Sequence, residues 1–423
     1  MNEYHTFCLL FFIAIIITVL NNRFTRIQTT IAITAVTLFI SILLKAVSGT
    51  QWSLIAVHFS YTIQQFDFEH FLLHGILGLL LFAGGLGINF DRLKKQKWEV
   101  LTLAMAGTLI STCFIGAFLY TFCQLINFPL TFIHCLLFGA LISPTDPIAV
   151  LAIIKKLGAP ESITTQIEGE SLFNDGIGLV IFTSIFTVSF SSEPITFSTV
   201  GQLFLQEALG GILVGGLFGL CFHFSIKAMG SLYLKIILTL LLATGGYSLA
   251  ESIDVSAPLA MVVSGIIIGN WSRFKALSPQ ESEELDRFWS IIDECLNSVL
   301  FAMVGFTLLV VSFNSQDWLL AMLAVPIVLI ARYFSVSLCY QFFAKFKAYN
   351  PYSVGIIAWG GLRGGLAIAM ALSIPADIWL DSNHILNLKQ VILAMTYSVV
   401  IFSILVQGST ISGLVSEANQ LKQ

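Results

Sequence analysis

The sequence predicts an all-α polytopic membrane protein with about thirteen transmembrane helices, and three observations predict it. Charged residues make up only 10% of the 423-residue chain, where soluble proteins carry about a quarter. Apolar residues make up 57% and the mean hydropathy is +0.89. The apolar residues are grouped in thirteen blocks, each near the length of about 20 residues that a spanning helix needs. The same figures exclude a soluble globular enzyme. A net charge of −4, with 20 Lys and Arg spread thinly, offers no basic block to grip nucleic acid.

The blocks run roughly over 6–20, 27–48, 71–90, 100–124, 131–154, 163–190, 203–226, 232–250, 257–272, 288–312, 318–343, 352–375 and 386–412. The first is kept as a membrane helix because Met1 to His5 lacks a basic run and no small-residue cleavage site follows. The connections are short, so residues 1–423 are expected to form one membrane domain with no soluble domain attached. Seven cysteines lie singly in apolar stretches, without the paired spacing of a metal or redox site. They read as small buried apolar residues, and no cofactor is expected.

Positive charge collects in cytoplasmic loops, so the loops orient the chain. Odd-numbered loops hold 15 Lys and Arg, among them Arg92, Lys155, Lys227, Arg273, Lys345 and Lys347; even-numbered loops hold two, Lys45 and Lys389. The N-terminus is therefore expected outside and the C-terminus, with Lys422, in the cytoplasm. Two cations, Arg332 and Arg363, and three acids, Asp146, Glu170 and Asp175, remain inside apolar blocks. A charge at bilayer depth is costly enough to mark function by default.

The fifth block reads Ser143-Pro144-Thr145-Asp146-Pro147. Each proline lacks an N–H and clashes with the preceding turn, so Pro144 and Pro147 break the helix and free carbonyls beside a carboxylate. Unwound backbone at membrane depth belongs in a protein-lined cavity, and oxygen ligands there suit a hard cation such as Na+. A plain kink with a hydrogen-bonded Asp is the alternative.

In the sixth block, Ser171 and Asp175 stack on one helix face. Glu170 and Asn174 stack on another, and Glu170 and Asp175 diverge by about 140° at about 100° per residue. Asp175 and Ser171 thus share a cavity with Asp146, whereas Glu170 needs its own partner. Arg332 has no exit to a surface and is expected to pair with Glu170. Glu168 reads as a solvated loop acid. The twelfth block holds Gly360-Gly361-Leu362-Arg363-Gly364-Gly365, where glycines such as Gly361 and Gly364 interrupt a second helix. Two interrupted segments in corresponding halves point to an inverted-repeat transporter with its site at the midplane. Glycine-mediated packing with Arg363 snorkelling to a surface is the alternative. Asp293 and Glu294 are placed near the cytoplasmic end of the tenth helix, read first as solvated acids with the entry funnel as the alternative, and the histidines lie in loops or near helix ends.

These motifs, with Phe288-Trp289 and Leu296-Asn297-Ser298-Val299-Leu300-Phe301, resemble the prokaryotic NhaP branch of the monovalent cation/proton antiporters. That branch is distantly related to the eukaryotic sodium/hydrogen exchangers. The resemblance implies a homodimer in a prokaryotic cytoplasmic membrane. A moving core (approximately 100–190 and 318–412) would work against a dimerisation scaffold (approximately 6–90 and 203–312). It implies Na+ or Li+ bound by Asp146, Asp175, Thr145 and Ser171, supported by Asn174, Glu170, Arg332 and Arg363. An Asn-Asp pair, here Asn174-Asp175, accompanies one-for-one electroneutral exchange in this family. Many members carry a glutamate in the third helix near Leu81-Phe82-Ala83-Gly84-Gly85, where Ala83 supplies no carboxylate.

The exchange would follow from competition, since burial disfavours a charged carboxylate and a bound cation favours it. Alternating access then needs only rigid-body movement of the core. K+/H+ exchange on the same scaffold is one alternative. A cation channel is another, although nothing resembles a carbonyl filter. An intramembrane aspartyl protease dyad is a third, without the glycine-x-glycine-aspartate context of such enzymes.

Overall fold

In lipid, each backbone N–H and C=O must be satisfied within the protein, which leaves the helix as the solution for a chain of apolar blocks. The computed structural model describes residues 3–47, 53–190, 197–311, 317–345, 349, 352–381 and 386–420. Their regular structure is helical apart from two isolated bridges, Asp146 to Leu362 and Trp379 to Asn387. Lys347 and Lys422, used in orienting the chain, lie outside the described residues.

The helices are α1 (Glu3–Phe24), α2 (Thr29–Val47), α3 (Ser53–Gln64), α4 (Phe68–Gly87) and α5 (Lys97–Leu125). There follow α6 (Phe132–Ile142), α7 (Ile148–Lys156), α8 (Glu161–Phe190), α9 (Phe197–Ala228) and α10 (Leu232–Ser252). The last are α11 (Ala257–Ile267), α12 (Pro279–Leu309), α13 (Asp317–Ala344), α14 (Ser353–Gly360), α15 (Gly365–Leu372) and α16 (Leu388–Ala418). Ten described helices are long and apolar enough to cross a membrane. The other three expected blocks correspond to α11, which a π turn extends toward Lys275, and to two helices that are broken in the middle. One break separates α6 from α7, and the other separates α14 from α15. The sequence reading did not anticipate α3, whose 12 residues are too short for a span.

Two sets of packed helices emerge. In one, α4 lies against α11, α11 against α9, and α12 against α1 and α2; in the other, α5 lies against α6 and α13, α6 against α8, and α16 against α13 and α15. The sets meet where α8 touches α9 and α11, and where α15 touches α12 and α4. Several buried polar groups find their partners on neighbouring helices. Trp289 Nε1 donates to Thr239 Oγ1 at 3.0 Å, Tyr247 OH to the Leu73 carbonyl at 2.6 Å, and Ser41 Oγ to the Gly305 carbonyl at 3.1 Å. The broken helices therefore cross within one packed set, with α8 alongside them, and the other set closes over the crossing.

Candidate ion-binding site

The first break begins where Pro144 and Pro147 cannot donate to a helix ladder. Between α6 and α7 the chain is held from outside. The Asp146 N–H donates to the Leu362 carbonyl at 2.8 Å, forming an antiparallel bridge between the two breaks. Asn174 on α8 holds Thr145 from both ends of its amide. Its Oδ1 accepts from the Thr145 N–H at 3.2 Å, and its Nδ2 donates to Thr145 Oγ1 at 2.9 Å. The Ser171 hydroxyl, one turn earlier, donates to the Thr145 carbonyl. Asp146 Oδ1 accepts from the Ile148 N–H at 2.9 Å, at the start of α7.

The second break spans Gly361 to Gly364. A Cβ on Gly364 would stand 2.5 Å from Asp146 Oδ2, and one on Gly361 would stand 2.7 Å from Arg332 Nε. Glycine is required at both positions because a carboxylate and a guanidinium occupy the space a side chain needs. The backbone freed by the break is satisfied by a π turn of α16 over Ser403–Gln407. Ser403 Oγ accepts from the Arg363 N–H at 3.0 Å, and Gln407 Nε2 donates to the Trp359 carbonyl at 3.0 Å.

Both intramembrane arginines are buried, Arg332 at 5% exposure and Arg363 at 2%. Snorkelling of Arg363 is therefore overturned. Its guanidinium bonds the carbonyls of Ser143 and Pro144 (2.9 Å to Pro144), the groups left open at the end of α6. Arg332 grips Glu170 with both arms, Nη1 to Oε1 at 2.5 Å and Nη2 to Oε2 at 3.0 Å, and also reaches the Ile357 carbonyl in the last turn of α14 at 3.2 Å. The unwound Thr145-Asp146 segment is fixed from both sides, more than a plain kink would require.

Asp146, Asp175 and Ser171 line one cavity of about 570 Å³, together with Pro144, Ala83, Gly364, Asp293 and Asn297. No hydrogen bond from a described residue ends on the Asp175 carboxylate. Charged side chains ring the mouth: Lys155 pairs with Glu168 at 3.2 Å, and Arg273 pairs with Asp286. Glu168 is thus ion-paired at the rim rather than simply solvated. Asp293 is a wall residue of the cavity, whereas Glu294 is exposed. Of the two readings of Asp293, solvated acid or funnel residue, the second is the one that its place in the wall matches, a choice that a count of apolar blocks cannot make. Glu207 in α9, a further carboxylate inside an apolar block, also escaped the reading; its Oε2 accepts from Thr183 Oγ1 of α8 at 3.2 Å. Ser403 and Gln407 gave no sequence signal, since small polar residues are common in membrane helices. The donors around Asp146 and Asp175 are all oxygen, the set that hard cations take. Among the described residues, no group of three or more His, Cys, Asp or Glu side chains converges as a metal centre.

A family profile described as sodium/hydrogen exchanger, transmembrane, matches residues 8–417. The chain belongs to the sodium/hydrogen exchanger family. It is 40% identical over 404 residues to the Na(+)/H(+) antiporter NhaP of Pseudomonas aeruginosa, covering 95% of this chain and 93% of that one. It is 33% identical over 366 residues to the Na(+)/H(+) antiporter NhaH of Halobacillus dabanensis, covering 85% and 86%. The sodium proton antiporter MjNhaP1 from Methanocaldococcus jannaschii superposes with a TM-score of 0.74 over 98% of both chains at 19% identity, which establishes a shared fold. Both sequence relatives bear the names of transporters, and membership of this exchanger family sets aside the aspartyl protease reading.

Two outcomes follow from the packing of the crossing. Glu170→Ala strands a buried guanidinium and should lower thermal stability in detergent by about 3–5 kcal/mol, with part of the loss recovered in Glu170→Leu/Arg332→Leu. Equal stability of the single and double variants would contradict this. Gly364→Ala should displace the Asp146 carboxylate, leaving a folded, monodisperse protein whose Na+-dependent heat of binding, read by calorimetry, is lost.

Proposed function

We propose that this protein exchanges cytoplasmic Na+, or Li+, for external H+, one for one, by alternating access. The observation that carries the reading is the pair of carboxylates, Asp146 and Asp175, set together at the inner part of a cavity beside an unwound backbone. The names of the relatives, Na(+)/H(+) antiporters, support the same pair of substrates. Asp146, Asp175, Ser171 and the hydroxyl or carbonyl of Thr145 supply the oxygens. Asn174, Glu170, Arg332 and Arg363 hold them in place.

A buried carboxylate is satisfied by a proton or by a cation, and occupancy by one excludes the other. The Asn174 amide does not titrate and is engaged with Thr145, so the Asn174-Asp175 pair offers a single titrating group, and Asp146 keeps one charge state throughout the exchange. The loaded site then carries the same net charge with Na+ as with H+, and membrane potential does not bias its movement. The set containing the crossed helices, approximately 100–190 and 318–412, is the moving core. The set of approximately 6–90 and 203–312 is the scaffold and dimerisation surface of a homodimer. The lopsided distribution of Lys and Arg supports an external N-terminus, a cytoplasmic C-terminus and a cavity mouth facing the cytoplasm of a prokaryotic cell. No cofactor enters this mechanism; Na+ and H+ are substrates.

Proteoliposomes enclosing a pH-reporting dye test the proposal with separate Na+, Li+ and K+ pulses, at clamped and unclamped potential. Na+ and Li+ should each drive proton movement at a rate indifferent to potential, and Asp146→Asn and Asp175→Asn should reduce it to background. Flux that tracks potential would contradict the one-for-one exchange, and flux driven by K+ alone would contradict the choice of cation.

A further inference from the structure

Helix α12 carries a row of polar side chains into the cavity. Asp286, Ser290, Asp293 and Asn297 follow one another at intervals of four, three and four residues, and all four line the cavity. That spacing places them in a single row along the helix. Asp286, at the mouth, is occupied by Arg273. Asn297, the deepest of the four, is only 3% exposed, one helical turn from Asp293, and neither its Oδ1 nor its Nδ2 has a hydrogen-bond partner among the described residues. Immediately beyond it the row ends in Leu300, packed against Gly365 at the start of α15.

A buried acceptor without a donor is destabilising unless something else satisfies it. Here the unsatisfied oxygen faces a cavity one turn from an unpaired carboxylate. That combination is suited to a cation and not to packing. We propose that Asp293 and Asn297 form a second, transit site for a monovalent cation on the wall of the cavity. The ion leaves the mouth, exchanges part of its water shell for one Asp293 oxygen and Asn297 Oδ1, and passes on to Asp146 and Asp175. Water keeps the remaining positions. Two protein oxygens with one charge hold such an ion weakly, so it is released inward and not trapped. The inference rests on the antiport reading and adds to it a residue pair outside the crossing.

A transit site governs capture at low cation concentration and drops out at saturation, so its loss appears in KM and not in maximal rate. In proteoliposomes, Asp293→Asn and Asn297→Leu should each raise the apparent KM for Na+ by about tenfold with maximal rate within about twofold. Asn297→Ser, which restores an oxygen, should recover part of the change. A side chain needed only for folding would lower yield and maximal rate and leave KM in place, and that result would overturn the proposal. Tl+, used as the probe in density maps of the wild-type protein, should give a second peak between Asp293 and Asn297 that Asn297→Leu removes. Tl+ at Asp146 and Asp175 alone would overturn the transit site and leave the antiport reading standing. Wild-type protein that neither moves Na+ nor binds Tl+ anywhere in the cavity would overturn both.

Discussion

Everything at the centre of this molecule depends on four half-helix ends meeting inside a membrane. Breaking α6 from α7 and α14 from α15 leaves carbonyls open at two C-terminal ends and N–H groups open at two N-terminal ends, each costly at that depth. The charges match the polarity of those ends. Arg363 lies on the carbonyls that finish α6, and Arg332 reaches the last turn of α14. Asp146 bonds the first N–H of α7 and lies against Gly364, just before α15 begins. The arginines and Asp146 are thus required by the crossing itself, and the Asp146–Leu362 bridge ties the breaks together.

The crossing also decides which groups remain available to a ligand. Asn174 and Ser171 of α8 are both engaged with Thr145, which fixes that residue's position. Glu170, about 140° around α8 from Asp175, is neutralised by Arg332. What α8 leaves open is Asp175, facing the cavity. The surround of Thr145 and Glu170 is thus held by partners on other helices, and one carboxylate on α8 is left without a hydrogen bond from the described residues.

Much of this was legible in the sequence, for reasons that differ by residue. The spans were visible because lipid imposes a length and a composition that no soluble segment of this chain matches. The breaks were visible because proline and glycine are the residues that prevent a helix from continuing, and Pro144, Pro147, Gly361 and Gly364 stand inside apolar blocks. Helical spacing alone separated Glu170 from Asp175 and so set Arg332 beside the former. The partners of the freed backbone were not legible. Ser403, Gln407 and the carbonyls that receive Arg363 belong to contacts between segments far apart in the chain, and nothing local marks them. The row that joins Asp293 to Asn297 was hidden for a related reason: its place on α12 has meaning only once the facing wall is known.

The central claim is that the cation and the proton compete for the carboxylates of the crossing, and this can be measured without transport. Purified protein in a weakly buffered solution with a pH indicator, titrated with Na+, should release protons along a saturating curve, approaching about one per Na+ bound, as linkage between the two ligands requires. Asp175→Asn should release none. Na+ bound by the wild-type protein with no proton released would contradict the account, because the two ions would then occupy different groups.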